Sequence, residues 1–182
     1  SLDLGSELKA TSDIQDIENA DTIIFCIPSD AFREVSELAS KYIQESSHLI
    51  TATKGVEKEG FSLMSNILEE HYPTNSIGVL SGPNLAEEIA AHHLSGTVIA
   101  SKDAELCVSF IQDLSTDFFK VYENDDPYGV EMGGALKNIY AIACGIADGL
   151  NAGENTIGMI MTRGLGEMGR LATELGANPQ TF

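Results

Sequence analysis

The chain has 182 residues, 43% of them hydrophobic, enough to bury a full core as one large domain or parts of two. Its 28 acidic and 10 basic residues give a formal charge of −18, which argues against a nucleic-acid or anionic-membrane surface. Any anionic ligand must therefore find a local positive site. The three cysteines (Cys26, Cys107, Cys144) lack CxxC spacing and sit beside apolar residues, so they read as reduced core thiols. With no secretory leader and no long apolar run, the expectation is a cytoplasmic chain without stable membrane insertion or a metal site.

Short apolar runs rich in β-branched residues fall at 21–28, 48–53 and 76–81, roughly 27 to 29 residues apart. Helical spacing lies between them, at 31–43 (Phe32, Val35, Leu38, Ala39, Tyr42) and at 61–71 (Leu63, Ile67, Leu68). This alternation predicts parallel βαβ units, with a sheet covered on both faces. Two further strands are expected at 96–100 and 118–123. After the acidic, Pro-containing stretch at 124–127 the pattern becomes helical, with one helix to about Leu150 and another from about Asn155 to Leu175. The predicted class is α/β, a Rossmann-type parallel sheet over 1–127 followed by the start of an all-helical domain over 128–182.

Ligands of open α/β sheets bind beyond the carboxyl ends of the strands, and the three clearest strands end there in turns of small residues. In the first turn, Ser29 can cap the following helix, while the Phe32 ring can face either the core or a bound nucleotide. In the second, Thr53-Lys54-Gly55 places an ammonium that can meet a phosphate in the crevice or snorkel to solvent. In the third, Asn84 and Glu87 have capping-box spacing, and Gly82 and Ala86 are small enough for a ligand to approach the backbone.

The run Gly133-Gly134-Ala135-Leu136-Lys137-Asn138 sets one lysine in an apolar, Gly- and Ala-rich helix. Lys137 is then either a buried salt-bridge partner or a base, since desolvation lowers a lysine pKa and frees a neutral amine. Asn138 adds an amide beside it. Further on, Arg163 and Glu167 have the spacing of a helical ion pair.

Taken in order, five motifs closely resemble the bacterial-type NAD(P)-dependent glycerol-3-phosphate dehydrogenase family over essentially the whole chain. They are Ile27-Pro28-Ser29, Ala52-Thr53-Lys54-Gly55, the segment 80–88, Gly133 to Asn138, and Thr162-Arg163-Gly164-Leu165-Gly166-Glu167-Met168. The resemblance implies interconversion of sn-glycerol 3-phosphate and dihydroxyacetone phosphate with NAD or NADP, in glycerophospholipid synthesis, by a homodimer. By motif it implies Lys137 as proton acceptor and donor. It implies Lys54, Gly82, Asn84 and Asn138 as substrate contacts, and Lys54, Ser29, Phe32 and Ala86 as cofactor contacts. The family more often has serine or threonine at Asn84. Its N-terminal Gly-rich unit does not occur in this sequence, nor does its later Gly-Leu-Gly-Asp segment, so the expectation is the central portion of such an enzyme. Two other readings stand beside it. One is a reductase of the same superfamily acting on a different hydroxy acid; the other is a non-catalytic domain retaining the fold.

Overall fold

A computed structural model describes residues 8–182; residues 1–7 of the expected first domain lie outside the described residues. After a 3-10 turn at Ile14–Ile17, the order is β1 (Thr22–Phe25), α1 (Phe32–Ala39), β2 (His48–Thr51), α2 (Met64–His71) and β3 (Ile77–Ser81). Then follow α3 (Ala86–Ala90), β4 (Ser95–Ser101), α4 (Ala104–Leu114), β5 (Phe119–Asn124), α5 (Pro127–Gly149), α6 (Glu154–Glu174) and a 3-10 turn at Pro179–Thr181. The five strands form one sheet in sequence order.

Neighbouring residues on β2 serve opposite faces of the sheet, as the two-residue period of a strand requires. Leu49 joins Phe25, Phe32, Met64, Ile67 and Leu68 under α1 and α2, whereas Ile50 joins Ile99, Leu106, Phe110 and Val121 under α4. Helices therefore cover both faces, and β1, β2 and β3 pair in parallel.

The wholly parallel sheet expected from the sequence is corrected at one step. β4 runs antiparallel to β3, with Ser81 opposite Val98, and β5 then returns parallel to β4. A parallel return is usually carried by a full helix packed on the sheet. Here α3 has only five residues, about 7.5 Å of helix, so the chain folds straight back.

α2 also begins later than its apolar spacing suggests, because Gly60 (φ +94°) and Phe61 (φ +56°) are both left-handed and stop a helix from forming across them. Cys26 is exposed rather than in the core, because it directly follows the short β1.

Asp126 sets where α5 starts. Its Oδ1 accepts from the Gly129 N–H at 2.9 Å, and its Oδ2 accepts from Asn178 N–H at 2.8 Å and Thr181 Oγ at 2.7 Å. One buried carboxylate thus caps α5 and anchors the turn after α6. Its burial opposes ionisation, but these donated bonds outweigh it and hold the carboxyl below the usual aspartate range. α5 reaches the sheet through Val130, which packs on Val79 and Ala100.

Candidate functional site

Three loops meet at the carboxyl ends of β1, β2 and β3. Thr53, after β2, ties down the loop after β1: its hydroxyl accepts from Ile27 N–H at 3.2 Å and donates to Ile27 O at 2.8 Å. Ser29 then lies directly against Gly55. A Cβ at Gly55 would come within 2.9 Å of the Ser29 Oγ, and the backbone there is left-handed (φ +148°), so only glycine fits.

The third turn is equally tight. A Cβ at Gly82 would sit 2.9 Å from Thr97 Cα and 3.1 Å from Gly96 O, so the turn lies flush on β4. Thr97 Oγ1 donates to Ser81 O at 3.0 Å and accepts from Asn84 Nδ2 at 3.1 Å. The Gly82 carbonyl accepts from Asn84 N–H at 3.0 Å and from Lys54 Nζ at 3.1 Å.

α5 closes the crevice. At Gly134 a Cβ would lie 2.7 Å from Ser81 Oγ and 3.9 Å from Lys54 Cγ, so this face of α5 rests on the β3 turn and on the Lys54 stem. One turn on, the half-buried Lys137 reaches Lys54. Although Lys54 keeps much of its surface in water, partial burial and then the neighbouring Lys137 ammonium push its pKa below the ordinary lysine range. Among the described residues the carboxylate ion pairs are those of Arg33 with Glu57 and Glu70, and neither Lys54 nor Lys137 has such a partner. Two ammonium groups thus face each other across a crevice in a molecule of strongly negative charge.

The structure brings together Ser29, Lys54, Gly82, Asn84 and Lys137. Ala86 lies exposed at the first turn of α3, and Asn138 lies exposed beside Lys137.

Phe32 is corrected. Its ring is fully buried, 5.5 Å from that of Phe25, and belongs to the core under α1 rather than to the crevice. As the first residue of α1 it points back onto β1.

Both capping expectations also fail. Ala31, not Ser29, is the N-cap of α1, and Leu85, not Asn84, is that of α3, neither with a side-chain cap bond. In place of capping, Asn84 reaches across to β4. Arg163 and Glu167 do not form an ion pair; Gly164 between them receives the Tyr140 ring of α5, so this part of α6 serves helix packing.

Three neighbours of the site were not singled out in the sequence. Ser81 and Thr97 carried no signal beyond strand periodicity. Glu131 did carry one, as the only acidic residue between Pro127 and Ala147. It is 3% exposed, and its Oε1 accepts from Ser65 N–H at 3.1 Å while Oε2 accepts from Ser65 Oγ. Burial pushes this carboxyl up to about 7, against the pull of the Ser65 and Met64 donors and with a small push from Glu69.

Comparison with known proteins assigns the arrangement to a family. The NAD-dependent glycerol-3-phosphate dehydrogenase N-terminus matches residues 1–107, and the corresponding C-terminus matches residues 126–182. The chain belongs to the NAD-dependent glycerol-3-phosphate dehydrogenase family. It is 52% identical over 183 residues to the glycerol-3-phosphate dehydrogenase [NAD(P)+] of Acinetobacter baylyi, across 100% of this chain and 51% of that protein. To the Alcanivorax borkumensis protein of the same name it is 47% identical over 181 residues, across 99% of this chain and 53% of the other. The chain spans about half the length of the curated relatives it matches.

Solved structures agree with this membership. The glycerol-3-phosphate dehydrogenase of Coxiella burnetii superposes with a TM-score of 0.93 at 37% identity, over 97% of this chain and 55% of that one. The Dunaliella salina structure gives 0.91 at 33% identity, over 99% and 32%. The Rossmann-type class of the sheet half follows from these family folds.

Proposed function

We propose that the protein interconverts sn-glycerol 3-phosphate and dihydroxyacetone phosphate with NAD or NADP. The observation that carries this reading is the pair Lys54 and Lys137, converging beyond the strand ends with no carboxylate partner among the described residues. Two facing ammonium groups without a counter-ion repel each other, and a phosphorylated anion between them removes that repulsion. The residues present thus suit both an anionic substrate and a phosphate-bearing nucleotide.

Bound NAD(P)H supplies the hydride to carbon 2 of the ketone. The Lys137 ammonium donates its proton to the oxygen on that carbon as the hydroxyl forms. In the reverse direction its neutral amine takes the hydroxyl proton back. Lys54, fixed by the Gly82 carbonyl, holds anionic charge and keeps a positive field on the reacting oxygen. Gly82 and Asn84 shape the wall for the substrate, with Asn138 beside Lys137. Ser29 and Ala86 border the nucleotide side. α5 resting on Ser81 excludes water from one flank of the crevice.

The same reading places the enzyme in the cytoplasm as a homodimer supplying glycerophospholipid synthesis. Among the described residues no helix is long and apolar enough to cross a membrane, and the apolar side chains exposed on α5 and α6 support a covered subunit face.

The deciding experiment is Lys137→Ala in the intact protein. Nucleotide affinity should stay within about 2-fold while kcat falls about 10²–10⁴-fold, the usual worth of a general acid–base. Turnover near that of the wild type would remove Lys137 from the chemistry.

A further inference from the structure

α2 has only a partial cap of its own, since Asn66 Oδ1 accepts from the Leu63 N–H at 3.3 Å. Its N-cap residue is Leu63, which has no side-chain oxygen, yet the first-turn N–H groups of a helix need acceptors. The acceptor comes from 66 residues away: the Glu131 carboxyl on α5 takes both the Ser65 N–H and the Ser65 hydroxyl. Among the described residues, and apart from the Asp126 cap at its start, these are the side-chain hydrogen bonds that join α5 to the sheet half. An apolar side chain would fill a buried position at lower cost than a carboxyl, so the residue type points to a demand for direction rather than for bulk.

Glu131, Gly134 and Lys137 stand three residues apart on α5. Each step of three turns the helix by about 60° short of a full turn, so the three form one slanting row spanning about 9 Å of axis. Glu131 meets α2, Gly134 meets Ser81, and Lys137 meets Lys54. Beyond Lys137 the helix packs on α6, through Tyr140 against Gly164, and leaves the sheet, with Ile139, Ile142 and Ile146 exposed. The location of the ammonium is thus set by the first turns of α5.

We infer that Glu131 is a positioning residue for Lys137: by holding the first turn of α2 it sets the height and rotation of α5 at which Gly134 seats on Ser81 and Lys137 faces Lys54. The catalytic consequence rests on the function proposed above; the geometric one does not. Loss of the carboxyl lets α5 slide and turn, which draws the Lys137 ammonium away from Lys54 and from the reacting oxygen.

The test measures both consequences in the intact protein carrying Glu131→Ala. With lysines isotopically dimethylated, the Lys54 signal is titrated by NMR without substrate; kinetics with dihydroxyacetone phosphate and NAD(P)H are read in parallel. Lys54 should titrate closer to the ordinary lysines in the variant, because its like-charged neighbour has moved. kcat should fall about 10- to 100-fold, the cost of an approximately 1 Å misplacement, while the nucleotide KM stays within about 2-fold. Glu131→Gln, whose amide can both accept from the Ser65 N–H and donate to its hydroxyl, should restore most of both. If the alanine variant does not fold, Glu131→Asp, with its shorter reach, reads the same two quantities with smaller changes. Either quantity remaining at its wild-type value in the decisive variant overturns the inference. A wild-type protein that fails to reduce dihydroxyacetone phosphate instead overturns the proposed function, and the Lys54 titration alone then judges the position of α5.

Discussion

The sheet half and the α5–α6 pair use apolar residues in opposite ways. In the sheet, Leu49 and Ile50 are adjacent and both fully buried, one on each face. On the helical pair, Ile142 is 65% and Met161 60% exposed, and α5 is well buried only in its first turns and at Ala147. The crevice lies where these regimes meet. Its floor, the strand-end turns, is fixed by a packed core and by glycines that admit no other residue. Its lid, Lys137, is carried on a helix that meets the sheet only through its first turns and packs on α6 beyond them. Substitutions in the two regions should therefore fail differently: loss of folding from the sheet, loss of alignment from α5.

The largest effect on stability should come from Phe32→Ala, which opens a cavity under α1 and costs about 3–5 kcal/mol. Chemical denaturation measures it. A cost below about 1 kcal/mol would mean that the ring is not part of the core, and would return it to the crevice.

Gly134→Val comes next. The branched side chain must displace Ser81 or lift α5, at about 1–3 kcal/mol. Unlike Phe32→Ala, it should remove turnover in protein that is still folded. Circular dichroism with a parallel assay separates the two, and full activity in the valine variant would contradict the close seating of α5 on the sheet.

The contrast also explains what could be read from the chain. Repeated β-branched runs and helical spacing located the five strands of the described residues, because their periods reflect burial along one short stretch. The antiparallel β4 was not legible: it follows from the shortness of α3, and the apolar pattern of a strand carries no direction. In the site, Lys54, Gly82 and Lys137 stood out because a lone charge or a glycine in apolar surroundings already needs an explanation. Phe32 was ambiguous, since the first helical turn permits either face. Ser29 and Asn84 look like caps from spacing alone, and only the fold reveals that Gly55 and Thr97 are their neighbours. Glu131 depends on a partner 66 residues away, a relation that local pattern does not contain.

Glu131 also makes the junction between the regions sensitive to pH. Its folded pKa of about 7 lies above the ordinary 4.5, so the folded protein keeps this proton over an interval where the unfolded chain has released it. The stability it contributes is full below pH 4.5 and is lost as the pH rises through about 7. The charge nearest it is that of Glu69 on α2. Asp103 and Asp126 are shifted the other way, so they add stability on the alkaline side and lose it on acidification. The difference between wild type and Glu131→Gln isolates the one group. In thermal melts across pH 4.5–8, the glutamine variant should gain on the wild type as pH rises, and parallel curves would show that the buried carboxyl does not titrate there.

The smallest effect should come from Ile142→Ser on the outer face of α5. A side chain already 65% exposed loses little burial on truncation, so in the 182-residue chain stability should stay within about 0.5 kcal/mol of the unsubstituted protein. The value of so small a number lies in its comparison with Phe32. If serine at 142 costs as much as a core substitution, the outer face of α5 is not in water but against a second copy of the chain, and the cost will grow with protein concentration. Unchanged stability at all concentrations leaves α5 fixed to the sheet through its first turns alone, which is the condition under which one buried carboxylate can decide where Lys137 stands.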